Sequence, residues 1–189
     1  MIINRTEKEL IKYCLKKDRQ AQKALFQQMS PLMLSVCMRY IGDRSLAEEV
    51  MLDGFMTVFQ KLDTYKQEGS FEGWVRKIMV NKSLTWIRKN KSMYLEMDIE
   101  DVKVGMPLET IADQLESEDL LKLIALLPEG YRSVFNMYAI EGYNHQEIAD
   151  QLGISVITSR TQLSRARKFL QNKMTNWNAV AQKKQGNGS

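Results

Sequence analysis

The chain has 189 residues, of which 44% are apolar and 26% charged, with ten glycines and three prolines. This is a globular composition, long enough to bury a core without disulfide or metal support, and too poor in turn residues for an all-β sandwich or barrel. The net charge is +4, and a single histidine excludes a multi-histidine metal site.

No apolar run approaches the ~20 residues that span a bilayer, and the first thirty residues carry scattered charge with no apolar leader core. The expectation is a soluble, cytoplasmic, mostly helical protein with no stable membrane insertion. Charge is unevenly spread. Residues 1–90 carry 16 basic and 10 acidic side chains, residues 91–118 carry 2 and 8, and residues 119–189 carry 9 and 5. Two positive lobes flanking a negative connector are expected. Residues 73–95 and 151–189 contain no acidic residue at all. One such run reads as a solvated face; one in each lobe points to a polyanion partner.

In chain order, Cys14 and Cys37 fall in helical patterns and read as small core residues. From Leu46 to Leu62, Ala47, Val50, Met51, Phe55, Val58, Phe59 and Leu62 recur at three- and four-residue spacing, a helical stripe. Glu48, Glu49 and Asp53 lie on the other side, either as a solvated face or as a docking face for a basic surface. A loop from Asp63 to Ser70 follows, then Phe71, Trp74 and a helix to about Lys89. At about 100° per residue, Val75, Met79 and Trp86 form one buried stripe of that helix, and Val80, Leu84 and Ile87 a second. Its third side carries Lys77, Asn81, Lys82, Thr85, Arg88 and Lys89, interrupted by Ile78. Aromatic rings beside a basic face suit single-stranded nucleic acid, with bases on the rings and the backbone on Lys and Arg. The loop before Trp74 can form a pocket for a flipped base. Core packing is the competing reading for Trp74 and Trp86. The acidic connector, broken by Pro107, reads as mostly extended, with a short helix near its end.

The segment Leu127 to Lys173 is the most legible. Asn144 followed by Glu147 is a capping box, Ile148, Ala149 and Leu152 give one apolar face, and Gly153 ends a short helix. Ile154 plugs the turn, and Ser155 caps a second helix running toward Lys173. On that helix Val156, Ser159, Leu163, Ala166 and Leu170 share one arc, while Phe169 lies outside it and packs on an earlier helix. Arg160, Thr161, Ser164, Arg165, Arg167 and Lys168 fill most of the remainder. This is a helix-turn-helix with a basic second helix. Such a helix enters the major groove N-terminus first. Thr158, Arg160, Thr161 and Gln162 are expected near bases, and Arg165, Arg167 and Lys168 near phosphates. Ile157 is apolar on the basic side and either meets a thymine methyl or packs on the turn. His145 reads as an exposed first-turn residue; a phosphate contact or a pH switch is the alternative. Gln182 to Ser189 read as a solvated tail.

The run SLAEEVMLDGFMTVF followed by GSFEGWVRKIMVNKSLTWIRKN resembles the second region of bacterial sigma factors. LPEGYRSVFNMYAIEGYNHQEIADQLGIS with TSRTQLSRARKFL resembles their fourth region. Two regions on a short linker are similar to the extracytoplasmic-function (ECF) group of the sigma-70 family. The resemblance implies an all-α fold: a region 2-like bundle over 1–90, an acidic linker over 91–118, a region 4-like helix-turn-helix domain over 119–174 and a polar tail over 175–189.

It also implies a division of labour. Glu48, Glu49, Asp53, Met56, Phe59 and Gln60 would dock on the clamp helices of core RNA polymerase. Lys66, Ser70, Phe71, Trp74, Arg76, Lys77, Asn81, Lys82, Arg88 and Lys89 would hold the melted −10 strand of promoter DNA. Arg132, Ser155, Thr158, Ser159, Arg160, Thr161, Gln162, Ser164, Arg165, Arg167 and Lys168 would serve the duplex −35 element. The linker would thread toward the polymerase cleft, and an anti-sigma factor would mask both lobes. Leu52 stands where the family often has Gln, and Val156 and Ile157 where it commonly has Glu-Gly. The contact at 52 and the −35 preference therefore do not carry over. No cofactor and no enzymatic activity are implied, since no P-loop, nucleophile–base pair or metal-ligand set is present in the sequence. The competing reading is a dimeric helix-turn-helix regulator independent of polymerase, which leaves the 46–90 pattern idle. A helical protein-binding adaptor ranks below it, and a hydrolytic enzyme last.

Overall fold

The structure, a computed structural model, describes residues 6–90 and 122–186, with side chains to residue 175. The chain forms two compact units, Met1–Asn90 and Lys91–Ser189. The expected acidic connector, and the short helix near its end, lie outside the described residues.

In the first unit each helix starts on a side chain that accepts an otherwise unpaired backbone N–H. Thr6 and Glu9 form a capping box at α1 (Glu7–Leu15). Asp18 caps α2 (Arg19–Ile41), Asp43 caps α3 (Arg44–Lys61), and Ser70 caps α4 (Phe71–Lys89). Gly42, at φ 79°, stops α2 in the left-handed conformation and lets the chain reverse into α3. Helices α2, α3 and α4 each pack on the other two, and α1 packs on α2. Their shared core contains Leu25, Met33, Val36, Tyr40, Val58, Phe71, Met79 and Leu84. The α3–α4 contact depends on Gly54, where an added Cβ would overlap Met79 Sδ. Every residue of the expected 46–62 stripe is buried except Phe59, which is half-buried. Both expected stripes of α4 are buried apart from Trp86, which is also half-buried. Cys14 and Cys37 are both buried, and neither forms a disulfide among the described residues. Desolvation pushes the Cys37 thiol up to about 11, opposed in smaller measure by a Ser83 hydrogen bond and the Arg39 charge.

The second unit begins with a helical segment at residues 122–125. Helix α5 (Glu129–Phe135) runs on into a π-helical turn, Asn136–Ile140. Helix α6 (His145–Leu152) and helix α7 (Val156–Gly186) follow. Helices α5 and α6 both pack on α7. Leu123, Ile124, Val134, Met137, Ile148, Leu163, Ala166 and Leu170 form the core. Helix α7 is longer than the sequence reading expected: backbone hydrogen bonding continues through the polar stretch to Gly186, where a tail from residue 175 was expected. That stretch is rich in residues with good helix propensity and holds no proline. Among the described residues no helix is long and apolar enough to cross a membrane.

Candidate nucleic-acid interface

In the second unit the turn between α6 and α7 is built from local polar contacts. The Asn144 side chain accepts the Gln146 and Glu147 N–H groups at 2.9 and 3.0 Å, and the Glu147 carboxylate accepts the Asn144 N–H at 2.8 Å. Gly153, at φ 66°, ends α6 left-handed. Ser155 Oγ then accepts the Thr158 N–H at 2.9 Å. Half-buried Ile154 sits in this turn. Ser159, Leu163, Ala166 and Leu170 face inward from α7. The small Ser159 and Ala166 leave room for close helix packing.

The outer face of α7 presents Arg160, Thr161 and Ile157, with Thr158, Gln162, Ser164, Arg165, Arg167 and Lys168 half-buried around them. Ile157 is 75% exposed, so it does not pack on the turn. Some polar groups are already engaged. The Ser155 and Thr158 hydroxyls lie 2.8 Å apart, and Thr161 Oγ1 donates to the Ile157 carbonyl at 2.9 Å. Arg165 Nη1 donates to Tyr131 Oη at 3.4 Å. The Gln162 amide lies against Gly130 of α5, where a Cβ would meet its Nε2 at 3.1 Å. Arg160 is the long basic side chain that stands exposed near the start of the helix. Phe169, half-buried, carries Lys173 Nζ 5.5 Å from its ring centroid.

Two residues expected at the −35 element occupy other positions. Ser159 is fully buried, because it lies on the same arc as Leu163 and Ala166. Arg132 is also buried, with Nη1 donating to the Ala125 carbonyl at 3.0 Å across the base of α5. His145 departs from its expected exposure as well. It is half-buried, with Nδ1 2.9 Å from Ser159 Oγ and its ring stacked on Tyr138 at 4.7 Å between centroids. Desolvation first, then the charges of Arg160 and Arg167, hold its pKa below the ordinary 6.5. Arg167 Cζ in turn lies 5.7 Å from the Tyr138 ring centroid. The sequence reading missed Tyr138, because the π turn shifts it out of any regular helical register.

In the first unit the loop before α4 carries an aromatic group. Tyr65 meets Phe71 at 5.1 Å and Trp74 at 5.5 Å, and Phe71 stacks on Trp74 at 5.7 Å. Tyr65 Oη donates to the Gly69 carbonyl at 2.9 Å and ties the loop to itself. Gly69, at φ 82°, supplies the left-handed residue this loop requires. Phe71 is fully buried, so its ring belongs to the core and supports Trp74 rather than facing a ligand. Trp74 is half-buried, and Ser70 spends its hydroxyl on the Gly73 N–H at 3.1 Å. Lys66, Lys77, Asn81, Arg88 and Lys89 are exposed, and Arg76 is half-buried. Arg88 Nη2 donates to Thr85 Oγ1 at 3.3 Å. Lys82 is paired with Asp53 of α3 at 2.8 Å.

The outer side of α3 exposes Glu49, Asp53 and Gln60, together with Leu52 and Met56. Glu48 is half-buried and pairs with Arg44 at 2.9 Å. Phe59 is half-buried, 6.2 Å from the buried Phe55 ring. An apolar pair one turn apart beside carboxylates is suited to a partner that is both apolar and basic.

Comparison with known proteins gives two family matches. The family described as Sigma-70 region 2 matches residues 25–93, and Sigma-70, region 4 matches residues 117–170. Over 147 residues the chain is 26% identical to the probable RNA polymerase sigma factor RfaY of Xanthomonas campestris, covering 74% of this chain and 37% of that protein. It is 28% identical over 151 residues to the ECF RNA polymerase sigma factor SigE of Mycolicibacterium smegmatis, covering 77% of this chain and 58% of the relative. It is 25% identical over 179 residues to the ECF RNA polymerase sigma factor SigW of Bacillus subtilis, covering 88% and 96%. The chain thus spans less than two thirds of the first two relatives and nearly all of the third. Both regions occur in order and together cover more than half of the sequence: the chain belongs to the sigma-70 family, in its ECF group.

Proposed function

We propose that this protein is an RNA polymerase sigma factor of the ECF type, which directs core polymerase to specific promoters and assists −10 melting. The observation that carries this reading is the pairing, in one chain, of two different nucleic-acid surfaces. Helix α7 offers Arg160 and Ile157 on an exposed, rigidly capped N-terminal turn, a shape that suits a duplex groove. The Tyr65–Trp74 group beside Lys66, Arg76, Lys77 and Asn81 offers a ring and cations, which suits unpaired bases.

In this reading residues 1–90 serve the polymerase clamp and the −10 element, residues 91–118 link, and residues 119–174 serve the −35 element. Glu49, Asp53, Met56 and Gln60 face the polymerase, with Glu48 and Phe59 at the margin. Ser164, Arg165, Arg167 and Lys168 meet phosphates. The work is binding, not bond-making. Core polymerase supplies most of the affinity, promoter DNA supplies selectivity, and an anti-sigma factor masks the two lobes in the cytoplasm.

Reconstitution of the full chain with core polymerase on a promoter library tests this. Transcripts starting at defined sites downstream of shared −35 and −10 sequences are expected. Failure to associate with core polymerase, or tight binding to a palindrome without it, overturns the reading.

A further inference from the structure

Arg167 does not project freely from α7. Its Nε is shielded from solvent and has no hydrogen-bond partner among the described residues. Its guanidinium carbon lies 5.7 Å from the Tyr138 ring centroid. A buried N–H over the electron-rich face of an aromatic ring is satisfied electrostatically by the ring quadrupole. The ring also stacks on His145 at 4.7 Å, and His145 Nδ1 lies 2.9 Å from Ser159 Oγ. Ser159 and Arg167 both belong to α7, so the first residue of α6 and the aromatic of the π turn grip that helix at two points about 12 Å apart. Tyr138 is 37% exposed, so its ring is a surface-side contact of α7 rather than part of the core.

We infer that Tyr138 is a positioning residue for DNA binding: its ring holds the Arg167 guanidinium in place before DNA arrives, so that the outer donors of that group meet a backbone phosphate with little ordering left to do. The inference rests on the proposed role of α7. Arg side chains lose rotamer freedom when they bind, and a side chain already held by a ring loses less. Tyr138 touches no DNA in this account and contributes through Arg167.

The test uses the full chain assembled with core polymerase on promoter DNA carrying a duplex −35 element, with affinity measured as a function of salt. Arg167→Ala should lower the salt slope by about 0.9, one phosphate contact. Tyr138→Leu, which keeps apolar bulk but removes the ring, should weaken binding about two- to fivefold at fixed salt while leaving the slope unchanged, because the phosphate contact still forms once Arg167 is ordered. Tyr138→Phe keeps the ring and should behave as wild type. In an Arg167→Ala background Tyr138→Leu should add nothing. Full additivity of the two changes, or wild-type affinity in Tyr138→Leu while Arg167→Ala loses its contact, overturns the inference. A wild-type slope in Arg167→Ala itself removes the phosphate role of Arg167 and, with it, the basis for the inference. Equal failure of Tyr138→Phe and Tyr138→Leu would assign the effect to the hydroxyl and would also overturn it.

Discussion

The two units present basic side chains in opposite ways. Helix α4 is buried along two stripes, and its basic residues share a narrow outer side with half-buried aromatics that also belong to the core. Helix α7 buries one arc of small and aliphatic residues and exposes its first turns, where capping has already used the Ser155 and Thr158 hydroxyls. In the first unit the proposed binding surface and the core are therefore partly the same residues. In the second they are separable by helix face. Substitutions at the aromatic site should thus affect folding and binding together, whereas substitutions on α7 should divide cleanly between the two.

The most damaging change should be Phe71→Ala. Removal of a fully buried ring costs about 3–5 kcal/mol. Denaturant unfolding monitored in the first unit should show that loss, and preserved stability with altered single-strand binding would return Phe71 to the interface. A second difference is alkaline. The Cys37 thiol ionises near 9.0 when unfolded and at about 11 when folded. The folded state keeps its proton longer, so stability is full below pH 9 and falls, by on the order of 2–3 kcal/mol, as pH rises through 11. Hydrogen exchange across α2 should report this loss, and Cys37→Ala should flatten it.

Arg160→Ala should cost about 1–3 kcal/mol in −35 binding and act unevenly across −35 variants, with the stability of the second unit unchanged. An even loss over all variants would reassign Arg160 to phosphate. The second unit should be sensitive at acid pH instead. His145 is held neutral by desolvation and by Arg160 and Arg167, so its contribution is complete above pH 6.5 and is lost as pH falls through the depressed folded value. Melting of the second unit between pH 7 and 5 should show this slope in the wild type but not in His145→Gln. The smallest effect belongs to the Lys82–Asp53 pair, whose carboxylate is largely exposed. Asp53→Asn should change stability by under about 1 kcal/mol. It should also free Lys82, so that the isolated chain binds single strands slightly more tightly; weaker binding would show that the pair aligns Lys82 instead.

Local sequence chemistry determined much of this protein: the caps at Asn144 and Ser155, the left-handed stop at Gly153, the 46–62 stripe, the two stripes of α4 and the basic face of α7. Each depends on neighbours within one or two helical turns, where side-chain type and spacing suffice. Helical spacing already placed Ser159 on the inward arc of α7 with Leu163 and Ala166, whereas the positions of Arg132 and Phe71 were decided by packing between helices. A residue type suited to binding says nothing about which helix lies over it. The grip of His145 and Tyr138 on α7 belongs to the tertiary structure alone, because a π turn breaks the regular period and brings together rings and a guanidinium from three separate elements.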